Sequence, residues 1–302
     1  MVNPTHILRV GCVPEHFSCP LHIAQQDGYF KRRDVEVELV SVPEGTGKML
    51  AMLKDGSLDI AMMVAEGVTA GISNGADQVK IIGTYVESPL CWAISAGVNS
   101  KHTSEDTLKN GTIGISRIGS GSHVMSLYLA DTKGWFEGGQ TTPLDFEILN
   151  NIDGLIAGVN DGSADAFLWE VFTTKPYYDA GKVKKIGQVV PPWPSFYIGA
   201  NVTTLKTHQR TVKQFLAAVN EATRWFVHHK ETKSVEFVMK QLGYPEEDVR
   251  NWFKTVTYPE NVAAVSRSIL QGCSDTLKKA SAIKTVKSVE ELCDTDIVLF
   301  SD

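Results

Sequence analysis

The chain has 302 residues, 43% of them hydrophobic and 21% charged, which supplies a sizeable core and enough length for two lobes. Its net charge is −6, and no run of Lys or Arg is present to track a phosphate backbone, which argues against a nucleic-acid partner. No segment approaches the roughly 20 apolar residues of a membrane helix, no basic segment leads into an apolar one before the first strand, and the cysteines Cys12, Cys19, Cys91, Cys273 and Cys293 include no C-x-x-C pair, so the expectation is a cytoplasmic protein without a signal peptide.

Residues 7–13 read as a short apolar strand. Pro20 sits where a first helical turn tolerates proline, and Leu21, Ile23 and Ala24 supply a buried stripe until Gly28 closes the helix. Val35, Val37, Leu39, Val40 and Val42 mark the next strand. Thr46 is placed to cap a helix that turns Met49, Leu50 and Leu53 inward and ends at Gly56. Residues 58–64 are almost continuously apolar, as in a parallel strand buried on both faces. Residues 79–85 and 91–96 are further apolar strands, the second read as a crossing segment. The order then repeats: strand 112–116, helix 122–133, a strand through Leu144, Phe146 and Ile148, helix 155–160 and strand 166–169. Residues 189–194, Val-Val-Pro-Pro-Trp-Pro, break regular structure, and 195–200 resume as the return strand. From Thr204 onward Val212, Phe215, Leu216, Val219 and Ala222 keep helical spacing, and this tail is expected on the first lobe.

The repetition is literal in two places. Asp55-Gly56-Ser57-Leu58-Asp59 returns 106 positions later as Asp161-Gly162-Ser163-Ala164-Asp165, and the same shift carries Ile23-Ala24 and Gly28-Tyr29-Phe30 onto Leu129-Ala130 and Gly134-Trp135-Phe136. Two echoes in one register indicate two copies of one α/β unit, hence two lobes and a cleft.

Residues that carry a family likeness lie in these same stretches: Gly28-Tyr29-Phe30 before the strand from Val35, then Leu53 with Gly56-Ser57-Leu58-Asp59-Ile60-Ala61, then Leu108-Lys109-Asn110-Gly111-Thr112-Ile113-Gly114. In these the chain resembles the type II periplasmic-binding-protein family over essentially its whole length. It is most similar to the branch that holds nitrate, taurine and alkanesulfonate receptors, thiamine-pyrimidine-precursor receptors and fungal pyrimidine synthases, and within it to a leaderless fungal group of binding-protein-like proteins. The resemblance implies an α/β type II fold with two crossing segments forming a hinge, lobe one comprising residues 1–93 and 197–302 and lobe two residues 94–196. It implies a small-molecule ligand between the lobes; no cofactor is expected, and the oligomeric state stays open between monomer and homodimer.

In open α/β sheets ligands bind where loops leave the carboxyl ends of strands. The candidate loops hold Phe17 after the first strand, Glu44 and Thr46 after the second, and Glu66 after the third, with Ser116, Arg117, Ser120, Ser122 and His123 in the Ser/Gly segment of the second copy. That segment offers hydroxyls, close backbone approach at its glycines and a helix N-terminus, which together suit an anion. Ser120 or Ser122 can equally be a helix cap, Arg117 a solvated charge and His123 a surface residue. Trp169-Glu170 ends the last strand of the second copy; the carboxylate can accept from the amine and ring N–H of an aminopyrimidine while the indole or Phe172 stacks on the ring. The pyrimidine-binding branch uses a Trp-Glu pair in that manner. Trp92, Trp193 and Tyr197, with Phe17, would complete an aromatic cage or serve as ordinary core.

Catalytic signatures are absent: no G-x-S-x-G, H-E-x-x-H, Walker loop or G-x-G-x-x-G is found. The pyrimidine synthases of the resembling branch carry an iron-binding cysteine cluster and a His and a Lys for pyridoxal phosphate. This chain has no such cluster, and residues 63–70 contain neither His nor Lys. The expectation is therefore a binding protein for a small polar, anionic or aminopyrimidine-like ligand, with an enzyme of thiamine-pyrimidine biosynthesis as the alternative.

Overall fold

The repeated Asp-Gly-Ser-x-Asp segment is a helix stop joined to a strand entry. In the computed structural model, which describes residues 6–136 and 143–302, Gly56 and Gly162 hold left-handed backbone at φ of 76° and 87°, where a side chain would be strained. The first Asp of each copy accepts the N–H of the Ser two residues on, at 2.8 Å for Asp55 and 2.9 Å for Asp161. The last Asp then accepts a backbone N–H of the neighbouring strand, from Arg9 to Asp59 and from Thr112 to Asp165, each at 2.9 Å. The residues of the echo are thus those that turn a helix into a strand and set that strand's register.

Chain order follows from this unit. In the first copy come β1 (Ile7–Cys12), α1 (Cys19–Gln26), β2 (Glu36–Ser41), α2 (Thr46–Asp55), β3 (Ile60–Val64), α3 (Ala65–Ser73) and β4 (Val79–Val86). After the crossing come β5 (Trp92–Gly97), β6 (Thr112–Ile115), α4 (Gly121–Thr132), β7 (Asp145–Ile148), α5 (Ile152–Asp161), β8 (Ala166–Glu170), α6 (Val171–Asp179) and β9 (Val183–Val189). The return gives β10 (Phe196–Asn201), then α7 (Val202–His228), α8 (Lys233–Leu242), α9 (Glu246–Phe253), β11 (Ala264–Val265), α10 (Arg267–Lys279), α11 (Val289–Leu292) and β12 (Leu299–Phe300).

The strands form two five-stranded sheets, ordered β2-β1-β3-β10-β4 and β7-β6-β8-β5-β9, with β11 and β12 paired apart. Strand for strand the two orders match, with one antiparallel member, β10 or β5, in the fourth place of each. β5 follows the first copy in sequence yet pairs in the second sheet, and β10 does the reverse. The two crossings touch: the Ser195 N–H and hydroxyl both donate to the Ser88 carbonyl, at 2.9 and 2.5 Å. This is a two-lobed periplasmic-binding-protein fold.

Two expectations change in detail. The segment Ala65-Glu66-Gly67 is the first turn of α3 rather than a loop, because Val64 passes straight from strand to helix and the Ala65 N–H is taken by the Ser195 carbonyl at 3.0 Å. The C-terminal tail packs chiefly on the first sheet, Phe215 stacking on Phe30 at 5.4 Å, but it also reaches the second copy through Lys279 to Asp131 at 3.0 Å and Asp248 to Lys175 at 3.4 Å. Among the described residues no helix is long and apolar enough to cross a membrane.

The two echo aspartates differ in burial. Asp59 is 3% exposed and also accepts from Arg9 Nε at 2.9 Å and the Thr204 hydroxyl at 2.8 Å, whereas the Asp165 side chain is 34% exposed. Asp59→Ala is expected to cost about 3 kcal/mol of stability and Asp165→Ala about 1 kcal/mol, read as unequal falls in thermal melting temperature; equal falls would show that the shared motif, not burial, sets its worth.

Candidate functional site

The loops at the carboxyl ends of β1, β2, β3, β6 and β8 converge on a cavity of about 70 Å³ between the two sheets. A single water needs roughly 10–15 Å³ of such space, so several water-sized groups fit. Glu15, Glu44, Thr46 and Val64 face it from the first copy, Ser116, Arg117, Ser120, Ser122, Trp169 and Glu170 from the second, and Leu90, Trp92 and Phe196 from the crossings.

One side is electropositive. The N-termini of α2 and α4 both open on the cavity, through Gly45 and Thr46 and through Ser120, Gly121 and Ser122, each presenting the positive end of a helix dipole. Ser120 is the cap of α4, its Oγ accepting the His123 N–H at 3.3 Å; it lies 3.0 Å from the Ser122 Oγ, which in turn accepts the Ser116 N–H at 3.4 Å. Thr46 is not a cap. Gly45 takes that place, and the Thr46 hydroxyl instead accepts the Val64 N–H at 3.0 Å, tying α2 to β3.

Glycines let the copies meet here. A Cβ on Gly47 would lie 2.3 Å from Arg117 Nε, so the guanidinium packs directly against α2 and would have to shift for any side chain there. A Cβ on Gly121 would lie 2.7 Å from the Trp92 ring and 3.2 Å from Val64. Burial lowers the Arg117 pKa, with the Glu44 charge opposing, and its Nε has no partner among the described residues.

The other side is acidic. Glu170 caps α6, its Oε2 accepting the Thr173 N–H at 2.7 Å and hydroxyl at 2.9 Å, yet burial outweighs these bonds and pushes its pKa up to about 7. Glu15, on the facing loop, is pushed up to about 8, first by burial and then by the Glu170 charge. His16 Nε2 lies 3.6 Å from Glu170 Oε2, and burial lowers that imidazole to about 3. The Trp92 indole N–H, buried at the cavity wall, has no acceptor among the described residues.

Of the residues singled out in the sequence, Glu44, Thr46, Trp92, Ser116, Arg117, Ser120, Ser122, Trp169 and Glu170 line this cavity. Phe17, Glu66, His123, Trp193 and Tyr197 do not. Phe17 packs on Phe196 and Trp252 and offers its carbonyl to the Tyr85 hydroxyl at 2.8 Å. The His123 ring lies on Phe146, with Nδ1 accepting the Gly119 N–H at 3.2 Å. Trp193 donates to Glu66 Oε2 at 2.9 Å, and Tyr197 is buried behind them. Sequence reasoning missed Glu15, Leu90 and Phe196; Glu15 lay in a loop already singled out, one step from the strand end, whereas Leu90 and Phe196 enter only through the crossings. Among the described residues all five cysteines are free thiols, Cys12, Cys19, Cys273 and Cys293 buried and Cys91 half-buried.

Over 99% of both chains the fold superposes on the Candida albicans CA3427 gene product, described as defining a new family with the generic periplasmic binding protein fold, with a TM-score of 0.89 and 35% identity. The chain belongs to that family. A family model described as Ca3427-like PBP matches residues 92–189, and one for the NMT1-like family matches residues 3–110. The CA3427-type chain also shares its fold with the alkanesulfonate-binding protein SsuA of Xanthomonas axonopodis, bound to MOPS, at a TM-score of 0.75 and 16% identity over 100% of both chains. The nitrate-binding protein NrtA of Synechocystis matches at a TM-score of 0.74 and 15% identity, over 97% of this chain and 87% of that one.

Glu66 remains to be accounted for within this family member. It is 1% exposed, and its Oε1 has no partner among the described residues. Burial pushes it up to about 7, against the opposing bonds from its own backbone and from Trp193. A carboxyl raised on folding holds a proton that the unfolded chain gives up near 4.5, so stability falls as pH rises from about 4.5 to about 7 and stays low above. Glu66→Gln keeps an acceptor for Trp193 without the charge. Its stability relative to the native chain is expected to improve by about 2–3 kcal/mol between pH 5 and pH 8, checked by denaturant melts at both values; a pH-independent difference would place Glu66 as ionised in the fold.

Proposed function

We propose that this chain is a small-molecule binding protein whose lobes, residues 1–93 with 197–302 and residues 94–196, close about a small polar ligand of the aminopyrimidine-like class, with a role linked to thiamine-precursor metabolism. The observation that carries this reading is the pairing of a half-buried indole, Trp169, with a buried carboxyl, Glu170, at the wall of a cavity that both lobes line. An aminopyrimidine offers a ring to stack and adjacent N–H groups for the carboxyl. A ligand touching Glu170 and Ser116 from one lobe and Glu44 and Thr46 from the other gains its full contacts only when the lobes are together, so it shifts the population toward closure.

A second reading has its own support. Arg117 and the N-termini of α2 and α4 make one side of the cavity fit for an oxyanion, and the structural neighbours SsuA and NrtA are named for alkanesulfonate and nitrate. The two readings respond oppositely to Glu170. With an aminopyrimidine as ligand, Glu170→Gln is expected to cost about 1.5–3 kcal/mol of binding. With a sulfonate, the same change is neutral or favourable, and the double change Ser120→Ala with Ser122→Ala is the costly one. Calorimetric titration of both variants with 4-aminopyrimidine and with ethanesulfonate separates them, and native affinities in both variants for both probes would move the site elsewhere.

A further inference from the structure

The cavity wall carries a buried donor that nothing in the fold satisfies. Trp92 lines the cavity, is 5% exposed, and its indole N–H has no acceptor among the described residues. A donor taken out of water without a partner is costly, so an orphaned one at a ligand wall is a place for a ligand's acceptor. Trp193, by contrast, gives its N–H to Glu66 at 2.9 Å, and Trp252, whose N–H is also unpartnered, does not line the cavity.

Strand register decides what stands beside that donor. In the antiparallel pairing of β5 with β8, Trp92 lies directly opposite Glu170. Residues so paired share one face of a sheet, with Cβ atoms about 4.5–5.5 Å apart. Ladders on both flanks, to Glu170 of β8 and to Val189 of β9, fix the backbone of Trp92. The ring is held as well. A Cβ at Gly121 would lie 2.7 Å from Cη2 and 3.1 Å from Cζ2 of the indole, so the ring rests directly on the first turn of α4 and would have to shift for any side chain there. On Glu170, which is also 5% exposed, the Thr173 N–H and hydroxyl both donate to Oε2, and the same oxygen lies 3.6 Å from His16 Nε2. The carboxyl is thus anchored through one oxygen, and Oε1 takes part in none of these contacts.

Resting on the reading of this cavity as the site of an aminopyrimidine-like ligand, we propose that Trp92 and Glu170 together read one edge of that ligand: the Trp92 N–H donates to a ring nitrogen, and Glu170 Oε1 accepts from the amine beside it. The class this selects is an uncharged N=C–NH2 edge, as in an aminopyrimidine or an aminopyridine. A bare amine supplies only the donor and a bare ring nitrogen only the acceptor, and either leaves one buried group of the pair unmet. Trp92 is then a specificity-determining residue that acts through its N–H rather than through its face.

4-Aminopyrimidine, aniline and pyrimidine separate the two halves of the edge. All three are uncharged at about pH 8.5, where Glu170, its carboxyl pushed up to about 7 by burial, is ionised. In calorimetric titrations the native chain is expected to bind 4-aminopyrimidine about tenfold more tightly than either of the others. In Trp92→Phe the preference over aniline should fall to within about twofold while the preference over pyrimidine remains, and in Glu170→Gln the preference over pyrimidine should shrink while that over aniline remains. Each preference is a ratio taken on one variant, so a general loosening of the fold cancels from it. Indole N–H spectra of the native chain give a readout that a purely structural Trp92 would not move: its line, identified by its absence from Trp92→Phe, should shift downfield with 4-aminopyrimidine and not with aniline. If 4-aminopyrimidine binds and that line stays in place, or if Trp92→Phe keeps the native preference over aniline, the N–H role is overturned and the ligand reading stands. If none of the three binds, the aminopyrimidine reading itself falls and takes this edge with it.

Discussion

The structure depends on an exchange of strands. Each sheet is closed by a strand whose sequence neighbours on one side belong to the other sheet: β5 lies between β8 and β9, and β10 lies between β3 and β4. Backbone ladders on both sides fix these strands inside their sheets, so the chain passes between the sheets at two short crossings. Ser195 holds the crossings together at Ser88, and Leu90, Trp92 and Phe196 bring the same connections to the cavity wall. The crossings and the cavity are therefore built from adjacent residues.

Close backbone approach then decides what the cavity is made of. Gly47, Gly67 and Gly121 each stand where a Cβ would collide, with Arg117, with Thr46 and with the Trp92 ring respectively. Removing the side chain lets helix N-termini, rather than the side chains that usually screen them, face the enclosed space. The main buried apolar cluster takes in residues of both sheets, such as Ile60 and Val10 from the first and Ile113 and Leu168 from the second.

The cavity is lined by groups of both signs. Arg117 and the two helix dipoles favour negative charge, while Glu15 and Glu170 are carboxyls that burial holds partly protonated.

Much of the fold was legible in the chain. The echo beginning at Asp55 and again at Asp161 declared two copies because turning a helix into a strand demands particular residues at fixed spacing: a left-handed glycine, and an aspartate to accept a neighbouring N–H. Strand ends located Thr46, Ser116, Ser120, Ser122 and Glu170, since the loops of an α/β unit leave on one side whatever the details. Burial and pairing across the lobes were decided only by tertiary structure. Phe17, Glu66, His123, Trp193 and Tyr197 are near the site in sequence but turn into the interior or onto local partners, since a side chain's direction depends on what packs against it. Glu15 showed no motif of its own; it reaches the cavity that Glu170 also lines because the loops after β1 and β8, distant in sequence, converge there.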